Sequence, residues 1–213
     1  MSTVKVQGNA SGSGSITISS PNTNSNRVQT LPDVDGNIIT TGDTGTVTPA
    51  MLSQKLTQTA SVASTSGTSI DFTGIPSWVK KITVMLSGVS TTGTGTIWLQ
   101  LGTSGGVETS SYVSTIASFS TTANTTNSSN SVTSAIPFYH TTVLAADTLT
   151  AMFTWVNLTG NTWVGQGGGL QGTRTVVNSG SKTLSGVLDR VRVTTSNGTD
   201  TFDAGTINII YEG

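Results

Sequence analysis

Two stretches decide the fold, Lys81-Ile-Thr-Val-Met-Leu-Ser87 and Thr96-Ile-Trp-Leu-Gln-Leu101. Side chains of an extended chain point alternately to opposite faces, so Ile82, Val84 and Leu86 share one face of the first, and Ile97, Leu99 and Leu101 share one face of the second. Each reads as a strand with one buried side. The same alternation recurs in Val132, Ser134, Ile136 and Phe138, in Met152, Thr154 and Val156, in Leu188-Asp-Arg-Val-Arg-Val193 and in Ile207-Asn-Ile-Ile-Tyr211. The separators at 88–95, 102–106, 120–131 and 157–169 are rich in Gly, Ser and Thr and read as turns or exposed loops. About eight or more strands result, which suits two packed antiparallel sheets. The expectation is an all-β protein whose residues 63–213 form an antiparallel, jelly-roll-like β-sandwich.

Composition agrees. Thr and Ser make up a third of the 213 residues, another 25 are Gly, and only 9% are charged. Long helices draw on Ala, Leu, Glu, Lys and Arg, whereas Thr with Val and Ile favours strands. A net charge of -1 lacks the clustered cations that a nucleic-acid binder needs, so no nucleic-acid partner is expected. Lys80-Lys81 and the alternating Arg190 and Arg192 read as solvent-facing strand positions. With no cysteine, disulfides, thiolate chemistry and Cys-ligated zinc are excluded. The N-terminus lacks the apolar core of a secretory signal, and no apolar run approaches the ~18 residues of a membrane span. A chain made and soluble in a cytoplasm, without membrane insertion, is therefore expected.

Residues 1–45 read as short strands between turns: Ser15-Ile-Thr-Ile-Ser19, Arg27-Val-Gln-Thr-Leu31 and Asn37-Ile-Ile-Thr-Thr41. They carry too little apolar material to close a core, which suggests an extended attachment segment that pairs with other chains. Residues 46–62 read as a short helix and linker. Thr48 would cap the helix, Pro49 would occupy its first position, and Met51, Leu52 and Leu56 form an apolar stripe. That stripe suits either contacts about a threefold axis or packing on the following domain.

The chemical motifs are weak. Gly102-Thr-Ser-Gly-Gly106 matches a nucleophile-elbow pattern, but Val107-Glu-Thr-Ser-Ser-Tyr-Val113 reads as a strand where a helix is needed, and the single histidine, His140, precedes Asp147. Asp33, Asp35 and Asn37 imitate the start of a calcium loop without its glycine or its glutamate. Gly165-Gln-Gly-Gly-Gly-Leu-Gln-Gly172 lacks the ending of a phosphate loop and reads as a flexible loop or packed turn. Neither a catalytic residue nor a cofactor or metal is expected. Among the aromatics, Trp98 and Trp155 read as buried between subunits or in a second core. Trp163, in the polar stretch with Asn161 and Gln166, is the candidate ligand surface.

Gly12-Ser-Gly-Ser-Ile-Thr-Ile-Ser-Ser-Pro21, Arg27-Val-Gln-Thr-Leu-Pro-Asp33 and Gly36-Asn-Ile-Ile-Thr-Thr-Gly-Asp-Thr-Gly-Thr-Val47 resemble the N-terminal segments of tailed-phage fibre and other virion surface proteins. Ser69-Ile-Asp-Phe-Thr-Gly-Ile-Pro-Ser-Trp-Val-Lys-Lys-Ile-Thr-Val84 and Asp200-Thr-Phe-Asp-Ala-Gly-Thr-Ile-Asn-Ile-Ile-Tyr-Glu-Gly213 are similar to the sandwich heads of such proteins. The resemblance implies a non-enzymatic homotrimer in the virion. Residues 1–45 would dock on other virion proteins, and the head of a short tail fibre would bind a host surface glycan or protein. The alternative is a capsid decoration or head-fibre protein held through its N-terminal segment.

Overall fold

Alternating side chains, rather than any helix, organise the described residues. The computed structural model describes residues 10–14, 23–26, 28, 55–120, 128–138 and 144–213. The chain divides into two compact units, Met1–Asp43 and Thr44–Gly213. The second holds β1 (Thr57–Gln58), β2 (Val62–Ala63), β3 (Ser69–Phe72), β4 (Lys81–Thr91), β5 (Ile97–Thr103), β6 (Gly106–Val107) and β7 (Tyr112–Ser120). These are followed by β8 (Ser128–Asn130), β9 (Ile136–Pro137), β10 (Leu149–Thr159), β11 (Thr162–Gln171), β12 (Arg174–Thr183), β13 (Arg190–Thr195) and β14 (Phe202–Glu212).

All pairings are antiparallel and build two unequal sheets that pack as a sandwich. Among the described residues the large sheet has nine strands in the order β1-β14-β4-β10-β11-β12-β7-β8, with β2 also on β14. Among the same residues the small sheet has five, β3-β13-β5-β6, with β9 also on β5. Between them lies one apolar layer: Ile82, Val84 and Leu86 from β4, Phe153 and Trp155 from β10, Ile207 and Ile209 from β14, facing Ile97, Leu99, Leu101, Val191 and Val193 of the small sheet. The Ile82, Val84, Leu86 and the Ile97, Leu99, Leu101 faces thus meet from opposite sheets.

Three expectations need correction. Met152 and Val156 of β10 face outward, while Phe153 and Trp155 are fully buried. Both faces of this strand carry large apolar side chains, and the aromatic ones go inside because each large ring removes more surface from water. Residues 157–169 are not a loop, since β10 and β11 pair along almost their whole length around a turn at Gly160. The sheet also begins before residue 63, because β1 and β2 already pair with β14. Of the expected helix, residues 48–54, with Met51 and Leu52, lie outside the described residues. Lys55 and Leu56 are not helical, and the Leu56 side chain is 62% exposed.

Glycine makes the aromatic layer possible. A Cβ on Gly165 of β11 would lie 2.4 Å from the Phe153 ring, and one on Gly180 of β12 would lie 2.4 Å from Ile136 Cδ1. The run that reads as a flexible loop is therefore a strand stripped of side chains so that Phe153 can lie against it. Phe153 meets Trp155 at 4.9 Å between ring centres and Phe138 edge-on at 6.1 Å.

Polar contacts stitch the two sheets together. The buried Tyr112 hydroxyl of β7 accepts the Leu101 N–H of β5 at 2.7 Å and donates to the Leu101 carbonyl at 3.3 Å. Asn178 Nδ2 of β12 donates to the Pro137 carbonyl at 2.9 Å. Each bond removes a polar group from the list that burial would otherwise leave unpaired.

Candidate functional site

The three residues expected to form a ligand surface do not come together. Trp163 faces the core and is only 3% exposed, so its ring is closed to a ligand. Gln166, three positions along the same strand, necessarily points to the opposite side, where it is exposed. Asn161 sits in the β10–β11 turn, where its carbonyl accepts the Leu184 N–H at 3.0 Å. A strand turns its side chains over at each residue, so a candidate set spaced by two and by three cannot share a face. Trp155 is in the core between the sheets, whereas Trp98 is half-buried on the outer face of the small sheet.

Gly102–Gly106 ends β5 and turns into β6, with Thr103 paired to Gly106, so Ser104 lies in a strand-turn-strand and not at an elbow. His140, Asp33, Asp35 and Asn37 lie outside the described residues. Among the described residues no group of three or more His, Asp or Glu side chains could hold a metal ion.

Two outward surfaces remain. The first covers β4, β10, β11, β12 and β7 of the large sheet, and register fixes it row by row. One row runs Met85, Met152, Gly168, Val177, Ala117. The next runs Thr83, Thr154, Gln166, Ser179, Thr115, with the Thr83 and Thr154 hydroxyls 3.2 Å apart. The third runs Lys81, Val156, Val164, Ser181, Val113. Apolar rows thus flank a hydroxyl and amide row. Because Gly168 has no side chain, a trough of about 580 Å³ opens between Met152 and Val177, floored by Gln166 and Gly168. It continues past Thr154, Gln166 and Ser179 towards Val156 and Val164. Met152 is 53% exposed and Val113 is 71% exposed, with Phe119, Leu170 and Val177 also open on this side. The charged residues of this region, Lys81 and Glu212, sit at its rim and pair at 2.6 Å.

The second surface is the outer face of the small sheet. Trp98 pairs with Thr194 on β13 and with Pro137 on β9. One step along, Arg192 grips Asp71 of β3 through two hydrogen bonds, Nε to Oδ1 at 2.6 Å and Nη2 to Oδ2 at 2.7 Å. Hydrogen bonding to Asp71 raises the Arg192 pKa further. A planar ring beside a fixed donor and acceptor pair can stack on one face of a ligand and hydrogen-bond its edge.

An ionic cluster with a buried Lys182 and a partly exposed Glu108 fastens one end of the sandwich. Lys182 of β12, its side chain 3% exposed, places Nζ 2.6 Å from Glu108 Oε2, 2.9 Å from the Ser110 carbonyl and 5.3 Å from the centre of the Tyr112 ring. Glu108 Oε1 also accepts the Ser185 N–H at 2.8 Å and its hydroxyl at 2.7 Å. Burial alone would raise the Glu108 pKa, but the hydrogen bonds from Lys182 and Ser185 outweigh it and hold the carboxyl below its ordinary value. Burial drives the Tyr112 phenol far above its usual range. Lys182 Nζ, both Glu108 oxygens and the Tyr112 hydroxyl all have partners within the fold, which makes this a clasp rather than an open site. Nothing in the sequence spacing of Glu108, Tyr112 and Lys182 announces it.

Compared with family models, curated proteins and solved structures, the chain matches none.

Proposed function

We propose that the chain is a non-enzymatic virion structural protein, a short tail fibre whose β-sandwich binds a host surface glycan or protein. The observation that carries this reading is the outer face of the small sheet. There a half-buried Trp98 sits opposite Thr194, two residues along β13 from the Arg192 that holds Asp71 in a bidentate pair, an arrangement suited to the apolar face and hydroxyl edge of a sugar ring. The ligand surface is thereby moved from Trp163, which is buried, to Trp98. The division at Asp43 and Thr44 supports a two-part layout, an N-terminal attachment unit and a displayed head.

Particles labelled with antibody against residues 63–213 should carry gold at the tail, and Trp98→Ala should weaken adsorption of those particles to cells. Gold over the head, with adsorption unchanged in the variant, would replace this reading with a capsid decoration protein held through its N-terminal unit.

A further inference from the structure

The outer face of the large sheet is the least expected feature of the molecule. Seven of its side chains are large and apolar and at least two-fifths exposed: Val113 and Phe119 on β7, Met152, Val156 and Leu158 on β10, Leu170 on β11 and Val177 on β12. An isolated domain seldom leaves this much aliphatic surface contiguous on one side. We infer that this face is where copies of the chain meet, so that the occupant of the trough is a second copy.

Size is the first argument. Five strands at about 4.8 Å spacing and about 30 Å of strand length give roughly 700 Å² of flat area. That is close to the ~800 Å² each partner contributes to a stable interface. Chemistry is the second. Among the described residues, every outward side chain of β7, β10, β11 and β12 is apolar or carries a neutral hydroxyl or amide, and the Lys81–Glu212 pair is confined to the rim. Interfaces between proteins have this pattern, depleted of charge at the centre and polar at the edge. A charged face repels its own copy, but a hydroxyl both donates and accepts, so the Thr154, Ser179 and Thr115 row is complementary to itself. Shape is the third. Met152 and Val177 stand as ridges on either side of Gly168, and a copy packed face to face can set a ridge into that trough. Aligned packing of two twisted sheets about 10 Å apart accommodates such interdigitation. A sugar would satisfy the hydroxyl row while leaving the aliphatic ridges in water.

This contact pairs one face with the same face of a second copy, so it is two-fold and distinct from the homotrimer that the resemblance implies, and its location stands on this face alone. The chain contains no cysteine, so one introduced thiol reports one position. In the full-length chain, Ser179→Cys on the trough and Thr73→Cys on an exposed turn are labelled with a maleimide while mass is followed by light scattering from dilute to concentrated solution. As mass rises to the multimer, labelling of Ser179→Cys should slow sharply, and labelling of Thr73→Cys should not. Adding Val177→Lys should restore rapid labelling in Ser179→Cys, because like charges would then face each other across the contact. Equal labelling of the two positions in the multimer would overturn the inference, as would a chain that stays monomeric at every concentration. Adsorption by Trp98→Ala is read separately, so the receptor reading can fail while protection of Ser179→Cys stands, and the reverse.

Discussion

The two outer faces of this sandwich are built from different chemistry on the same scaffold. The large sheet turns out methyl groups and hydroxyls in alternating rows, whereas the small sheet turns out Trp98 beside the Arg192–Asp71 pair. An ion pair one-third exposed on each side chain stays comfortable in water. A row of half-exposed Met and Val does not gain from water and does gain from a partner. A two-layer fold can thus present unlike chemistry on its two outer faces, aliphatic and hydroxyl rows on one and an aromatic ring with an ion pair on the other, over a shared buried layer.

That contrast can be broken first at β10, where neighbouring residues belong to opposite sides. Phe153→Ala should cost about 3–5 kcal/mol, since it leaves a cavity over Gly165 that the surrounding strands cannot fill. Met152→Ala, one residue away, should change monomer stability by less than about 0.5 kcal/mol while weakening self-association. Urea melts of the two variants at low protein concentration check both values, and equal costs would mean that the face assignment of β10 is wrong.

The next effect is at the clasp. Glu108→Gln strands a buried ammonium at Lys182 and should cost about 3 kcal/mol, the lower end for a broken buried pair because Glu108 is itself partly exposed. Its pH dependence follows from the direction of the shift. The folded-state pKa of Glu108 is below the unfolded value, so the stabilisation is present above about pH 4.5, the ordinary value, and is lost as pH falls through the lower folded value. The gap between wild type and Glu108→Gln in urea midpoints should therefore be full at pH 7 and narrow steadily below pH 4.5. A gap that is constant with pH would remove Glu108 ionisation as its cause.

The smallest effect is expected on the small-sheet face. Arg192→Lys gives up the two-pronged grip on Asp71 and should cost under about 1 kcal/mol, as exposed pairs do. Ligand binding beside Trp98 should suffer more than stability, which paired melting and adsorption measurements on the variant would separate.

Much of the fold was legible because period-two alternation carries its own geometry. Ile82, Val84 and Leu86, like Ile97, Leu99 and Leu101, are buried as the pattern requires. The reading of β11 failed because Gly165, Gly167, Gly168 and Gly169 show no alternation at all, and glycine is the usual mark of a turn. The role of Gly165 and Gly167 appears only when Phe153 is placed against them, while Gly169 lies against Ala151 and Gly168 against Val177. The candidate site failed at Trp163 because polar neighbours in sequence are not neighbours in a strand, where each step crosses the sheet. A useful signal was present in β10, which carries large apolar side chains on both faces: Phe153 and Trp155 claim the core, and Met152 and Val156 are left for a second surface.

The sequence by itself determined that this protein is built of antiparallel strands, because the spacing of apolar side chains and the supply of Thr, Val, Ile and Gly act within a few residues of each other. Tertiary structure decided which apolar face became core, that Glu108, Tyr112 and Lys182 would close a clasp, and that Trp163 would be buried while Trp98 lies half-buried on an outer face. Those outcomes depend on strand pairing and on competition for buried area between residues distant in the chain, and local sequence holds neither.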